Sequence, residues 1–494
     1  MEAVPENQLP VMRRVIAKVR GAVRTALPVM PALAAGALLR VWMLKKFPQV
    51  EGDSLLYGGV AKNLLLHGRY AITDGNGVLH ETLLRLPGYP LFLAACFRLF
   101  GVDNYNAVAY VQIGMELLGC LLLADFARRI APGPHQFGAA QATLWLSALC
   151  PFTASYAAAP LTETPTLFAI ALALWAVGRF HARPGWPSAL AFTFAVSFAA
   201  LLRPDGALVG VALAPAMVVG LRRESLKKNA SGAHVPRLLR MAVVCVLLAL
   251  VPFAAWTARN WRVFHVFEPL APRYANDPGE ALHPGWQRWV KTWCLDFTST
   301  YDFYWNVPDG PFDLSKLPKR AFDSPAQYAA TSALASEYTA NGQDLTPEMD
   351  ARFARLAEER IVAHPLRYYL WLPLGRLGDM WLRPRVENLP IDMDWWVYAH
   401  HDEETRFSWE YAALNAVYLL LGLAGLCMRP RYWPWMLAYM VLRSGLLMTV
   451  EAPETRYTLE CFPMLFVLGG IAAYWLLYVV WRSVLSVKAL PGNG

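Results

Sequence analysis

The chain is poor in charge. Only 17% of its 494 residues are Asp, Glu, Lys or Arg, against roughly 25% in an ordinary soluble domain. It has no G-x-G-x-x-G or G-x-x-x-x-G-K loop, no H-E-x-x-H helix and no C-x-x-C pair, which removes the usual nucleotide-binding, zinc-protease and cysteine-metal chemistries. Its seven cysteines lie mostly inside apolar runs; only Cys294 falls clearly in a long polar stretch, so no disulfide framework is expected. No internal repeat is evident, and the two halves do not mirror each other in hydropathy, which argues against an inverted-repeat transporter.

What the chain has in excess is apolar surface: 56% hydrophobic residues, 13% aromatic and a mean hydropathy of +0.29. Windows of spanning length fall near 27–45, 104–127, 136–152, 161–179, 187–202, 206–221, 238–258, 409–428, 432–450 and 458–481, giving an all-α polytopic membrane protein of about ten spans. The formal charge of +8 does not indicate nucleic acid, because the cations cluster at span ends. Arg13, Arg14, Lys18, Arg20 and Arg24 precede the first window, and Arg222, Arg223, Lys227, Lys228, Arg237 and Arg240 fill one connector. Such clusters mark the cytoplasmic side. The first window reads as a retained helix after a basic N-terminus (1–26), not as a removed signal peptide.

This topology leaves two long stretches outside, a first external loop (46–103) and a larger one (259–408). They divide the chain into an N-terminal transmembrane module (27–258), the large loop and a C-terminal set of spans (409–494). Long loops between membrane helices are commonly functional. Within the second, 362–384 carries Arg367, Arg376, Asp379 and Arg383, too many charges for a lipid-facing span. It is expected to lie at the interface or re-enter.

The first external loop opens "EGDSLLYGGVAKNLLLHGRY". Leu55, Leu56, Val60, Leu64 and Leu65 recur at helical spacing opposite Lys62 and Asn63, which predicts an amphipathic surface helix. Asp53 stands just before it, either as an N-cap or as a carboxylate available for proton abstraction; Glu51 is a weaker candidate. "ETLLRLPGYPLFLAACFRLFG" follows, broken by Pro87, Gly88 and Pro90, and predicts a short helix dipping into the outer leaflet with Arg85 at its mouth. Thr162 and Glu163 open a later span at its external end, which suits capping or a second carboxylate facing Asp53, able to orient a sugar or share a divalent cation.

Arg203, Arg259 (with Arg262) and Arg456 sit at external span ends, where cations run against the positive-inside bias. Convergence on an anionic phosphate explains them together; Arg456 could alternatively pair with Glu451 or Glu454. Glu116 and Arg443 fall inside spans, and mutual pairing would satisfy both. "DFTSTYDFYW" (296–305) offers aromatic and polar groups for a sugar. The Asp392–Asp394 D-x-D is too short to signify, and the sequon at Asn229 is expected on the cytoplasmic side.

The order of these pieces resembles the glycosyltransferase C superfamily, in its branch of protein O-mannosyltransferases and lipid A aminoarabinose transferases. The resemblance rests on Asp53 after the first span, "RLPGYPLFL", "LTETP" and "RNWRVF", covering about 27–270, with "HPLRYYLWLPLGRL" and "ETRYTLECFP" more loosely similar. It departs at one place: aminoarabinose transferases carry Glu-Lys-Pro where this chain has Arg85-Leu86-Pro87, which keeps a cation nearby.

The resemblance implies a polyprenyl-phosphate sugar donor and an acceptor hydroxyl on a glycolipid, polysaccharide or protein. The setting would be the bacterial inner membrane with its site on the periplasmic face. Asp53 would be the base, Glu163 would hold sugar, acceptor or a metal, and Arg203, Arg259, Arg85 and Arg456 would bind the donor phosphate. A translocase of lipid-linked sugars and a non-catalytic assembly subunit are the competing readings.

Overall fold

The computed structural model describes residues 28–227, 234–308, 310–392 and 401–488. The basic N-terminus, the Asn229 sequon and Asp394 lie outside them. Among the described residues, six helices are long and apolar enough to cross a membrane: Tyr105–Ile130, Glu163–Ala182, Pro204–Arg222, Leu239–Phe264, Asp402–Cys427 and Thr455–Ser483. The other four expected windows hold shorter helices, Met30–Lys46, Gln136–Ala148, Trp186–Leu202 and Trp433–Leu447. The 136–152 window shows why. Cys150 precedes Pro151 and is extended (φ −67°, ψ 112°), as the clash with a following proline ring favours. The helix therefore stops at Ala148 and restarts as Pro151–Ala157.

Buried arginines mend such breaks. Arg40 is fully buried in the first helix; it donates to the Ala148 carbonyl at 2.6 Å and forks onto Glu116 with two 2.7 Å bonds. The helix-end carbonyl, orphaned by the break, thus gains a charged donor. The expected Glu116–Arg443 pair does not form. Glu116 belongs to Arg40, and Arg443 binds Asp205 and Glu460.

Helices Asp402–Cys427 and Phe462–Lys488 approach at backbone distance. A Cβ on Gly425 would fall 2.0 Å from the Leu468 carbonyl oxygen, so only glycine fits. Small residues at such seams are the usual device where lipid removes the hydrophobic drive between helices.

The two long loops lie at one end of the bundle. In the first, helix Asp53–His67 is followed by a hairpin, Ala71–Thr73 with Leu79–Glu81, and helix Gly88–Phe100. Asn63, expected on the polar face of the first helix, is buried instead; its amide donates to the Ala71 carbonyl at 2.9 Å and Thr73 Oγ1 at 3.0 Å, clasping the hairpin. Leu55, expected on the apolar face, is exposed. Periodicity alone missed that the helix packs through Tyr57 and Ala61 onto Leu93 and Phe97 of the Gly88–Phe100 helix. A Cβ on Gly88 would meet the Leu201 carbonyl at 2.6 Å, so the Pro-Gly-Tyr-Pro break seats this helix against Trp186–Leu202.

The second loop folds around its own aromatic core of Trp286, Trp289, Trp293, Phe303, Phe312 and Phe353. Asp350 accepts the Gly285 and Trp286 amides (3.0 and 2.8 Å), tying helix Pro284–Lys291 to Pro347–Ala363. The charged stretch near 362–384 forms a π-turn, Arg367–Trp371, and an α-helix, Leu372–Leu382. Buried Arg376 ties it to the Lys291 and Cys294 carbonyls, while Leu366, Tyr369 and Trp371 face outward.

Candidate functional site

Five of the six singled-out residues converge at the loop-bearing end of the bundle. Asp53 is the first residue of its helix; Gly52 holds the cap position at φ +51°, and no side-chain cap bond forms. The N-cap expectation thus fails by one residue. Its carboxylate is free for other partners and accepts from Arg85 at 2.8 Å and Arg456 at 3.4 Å. Glu163 likewise begins its helix, without a cap bond from Thr162. It is bound by Arg203 at 3.2 Å and Arg456 at 3.7 Å. Arg456 therefore stands between the two carboxylates.

Beneath this pair lies a deeper network that the sequence did not announce. Arg203 also meets Glu460 at 3.3 Å and Asp205 at 3.4 Å. Fully buried Arg443 joins those same acids at 2.7 and 3.0 Å, and its Nε donates to the Tyr457 carbonyl at 2.8 Å. Arg456 also pairs with Glu454, one of its two anticipated neighbours, while the Tyr457 hydroxyl donates to the same carboxylate. The Tyr457 ring lies against both Arg203 (5.1 Å) and Arg456 (5.8 Å), an arrangement that favours cations electrostatically. Glu454, Tyr457 and Glu460 were legible only as acids and an aromatic next to Arg456 in "PETRYTLE".

The network is graded in exposure. Asp53 and Arg85 side chains are 30% and 27% exposed, whereas Glu163 and Glu460 are 2% exposed. Burial pushes the Asp53 carboxyl upward, but Arg85 and Arg456 outweigh it and hold it below the usual aspartate range. Arg85 has a second property: its Nε is buried without a hydrogen-bond partner. A guanidinium with an unused donor beside an ionised carboxylate is prepared for a further anion.

Arg259 goes elsewhere. Its guanidinium is taken by Glu81 (2.7 Å), the Thr82 and Tyr70 carbonyls (2.6 and 2.8 Å) and Asn260. It braces the hairpin, whose Tyr70 hydroxyl in turn donates to the Arg85 carbonyl at 3.0 Å. Glu51 is exposed and outside the network. Among the described residues no group of three or more His, Cys, Asp or Glu side chains could hold a metal ion. Asp53 and Glu163, the pair considered for one, each face arginines. In 296–305, Phe303 is buried in the loop core while Tyr301 and Trp305 are exposed, and Thr300 Oγ1 donates to the Pro453 carbonyl at 3.2 Å, just before Glu454.

Membrane-length helices that carry a network of alternating guanidinium and carboxylate groups at one end define a polytopic membrane protein. Residues 85–263 match the family model of dolichyl-phosphate-mannose-protein mannosyltransferase, a stretch that includes Arg85, Glu163, Arg203 and Arg259. No curated protein matches the sequence.

Among solved structures, the chain is similar to the oligosaccharyltransferase of Archaeoglobus fulgidus tethered to an acceptor peptide (12% identity, TM-score 0.48, 94% of this chain and 51% of that one). It is also similar to that organism's AglB oligosaccharyltransferase in complex with an inhibitory peptide and a dolichol-phosphate (11%, 0.45, 94% and 52%). A third is ArnT of Cupriavidus metallidurans bound to undecaprenyl phosphate (15%, 0.37, 91% and 77%). The chain spans about half the length of the oligosaccharyltransferase.

Proposed function

We propose that this protein transfers a sugar from a polyprenyl-phosphate donor to an acceptor hydroxyl at the non-cytoplasmic face of a bacterial inner membrane. The acceptor is a glycolipid, polysaccharide or protein. The transfer is a single inverting displacement. Asp53 takes the acceptor O–H proton, the acceptor oxygen bonds the anomeric carbon from one face, and the carbon–oxygen bond to phosphate breaks on the other. The electron pair leaves with polyprenyl phosphate, already a stable anion that needs no protonation, unlike the alkoxide that a glycosidase must expel. Arg85, Arg456 and Arg203 stabilise that charge; Glu163 keeps Arg203 and Arg456 aligned, and no step passes through a metal.

The observation that carries this reading is Arg85, with one donor on Asp53 and another buried and unused. An aspartate held below its usual range is a weak base. A phosphate that draws Arg85 and Arg456 toward itself loosens their hold on Asp53 and raises its basicity. Donor binding and base activation are then one event. The test is transfer in detergent from a panel of purified polyprenyl-phosphate sugars, comparing the wild type with a folded Asp53→Asn variant. A loss of about 10²–10⁴-fold is expected for removal of a general base; near-normal transfer removes Asp53 from the mechanism, and absence of any product from the wild type favours a translocase.

A further inference from the structure

Arg262 was grouped with Arg259 in "RNWRVF", yet the structure separates them. Residues 100° apart per step around a helix place Trp256, Arg259 and Asn260 toward the hairpin and Thr257, Ala258, Trp261 and Arg262 away from it, with Phe253 at the boundary. The second side lines a cavity of about 590 Å³, completed by Phe267 and Pro269, within the roughly 300–1,000 Å³ of small-molecule sites. Arg259 has four partners (Glu81, Tyr70, Thr82 and Asn260). Arg262 is exposed and, among the described residues, takes part in no ion pair or hydrogen bond.

The groove is a built feature. The chain reverses at His265 (φ +57°) and runs back along the helix. The fully buried Asn260 amide donates to the Glu268 carbonyl at 2.9 Å, and the Trp256 indole to the Leu270 carbonyl at 3.2 Å. Phe267 and Pro269 are thereby fixed as one wall. Thr257, the one hydroxyl in the lining, already donates to the Phe253 carbonyl at 2.7 Å. Among the lining side chains the unused donors are the Arg262 guanidinium and the exposed Trp261 indole, and Arg262 alone is charged.

Its position selects the occupant. Leu239–Phe264 is 26 residues long, with only 11% of its apolar window buried. At about 1.5 Å per residue it exceeds a ~30 Å hydrocarbon core by roughly two turns. The Leu250–Thr257 part of the groove therefore lies at acyl depth, and Trp261 and Arg262 at headgroup depth, where tryptophan and cations anchor. The donor phosphate is assigned to Arg85, on the far side of Trp256 and Tyr70.

We infer that this groove binds one anionic glycerophospholipid, its acyl chain along Phe253, Thr257 and Trp261 and its headgroup phosphate on Arg262. The site depends on the membrane reading but not on the transfer reaction.

The test is native mass spectrometry of the delipidated, detergent-purified full chain. Dioleoyl-phosphatidylglycerol and dioleoyl-phosphatidylcholine are added separately, and undecaprenyl phosphate in a third arm. The wild type is expected to retain one phosphatidylglycerol with about tenfold preference over phosphatidylcholine, whose choline cation offsets the phosphate charge and is repelled by Arg262. Arg262→Gln should abolish the preference, and the groove-filling Ala258→Trp should remove the bound lipid. Equal retention of both phospholipids by the wild type, or an undiminished preference in Arg262→Gln, overturns the proposal. So does retention of phosphatidylglycerol by Ala258→Trp, and so does displacement of phosphatidylglycerol by equimolar undecaprenyl phosphate, which would make the groove a polyprenyl site. None of these outcomes bears on whether Asp53 is a base.

Discussion

The lip and the floor of the charged network are made of the same two groups, carboxylate and guanidinium, and do different work. At the lip, Asp53 and Arg85 are about a third exposed and joined by one bond. On the floor, Glu460, Arg443, Asp205, Arg203 and Glu163 are interlocked and nearly sealed. An exposed ion pair is worth little and exchanges partners readily, whereas a buried one is expensive to break because the survivor is left charged and unpaired. The floor therefore holds shape, and the lip can trade Asp53 for a phosphate.

The largest effect should come from breaking the floor. Arg443→Ala leaves Glu460 and Asp205 without a shared cation, and a cost of about 3–5 kcal/mol is expected; the measurement is thermal stability in detergent, where an unchanged midpoint would show that the floor is not structural. Breaking the lip should act differently. Arg85→Gln should leave the midpoint near the wild-type value while raising the KM for the lipid donor about 10–100-fold, as loss of a hydrogen bond to a charged group implies. A comparable loss of stability in the two variants would erase the distinction.

A smaller effect is expected where the loop subdomain meets helix Leu372–Leu382. Burial pushes the Asp379 carboxyl up to about 6, with Arg383 opposing and Asp296 adding to the rise. The unfolded value is about 3.9, so the folded state binds the proton more tightly. The contribution of this group to stability should be greatest below about 4 and be lost as pH rises through about 6, on the order of 2 kcal/mol. Asp379→Asn should flatten that decline in a pH series of melting midpoints; an identical slope in the variant would place the titration elsewhere.

Much of the lip was legible in the sequence and little of the floor. Asp53, Glu163, Arg203 and Arg456 stood out because a charge at the external end of an apolar window has few ordinary reasons to be there, and the chain brings them together. Arg259 obeyed the same signal and serves the hairpin, since position along a span does not say which side of the helix a residue occupies. Arg443 and Glu116 were visible as charges within spans but not as to their partners, which lie 238 and 76 residues away. Asn63 was misread because a periodic pattern cannot show that a buried amide has a hairpin to hold. Glu454 was legible as a local counter-ion of Arg456, whereas Glu460 gains its place in the network only from the three-dimensional closeness of Arg203 and Arg443.

The central claim is that donor phosphate releases Asp53 from its arginines. It is tested most directly by the acid limbs of the pH–rate profiles, because kcat/KM reports the free enzyme and kcat the donor complex. With Asp53 held below the usual aspartate range in the free site, the limb of kcat/KM should fall below about pH 4, and the limb of kcat should lie at higher pH. Coincident limbs, or a limb of kcat at lower pH than that of kcat/KM, would contradict it.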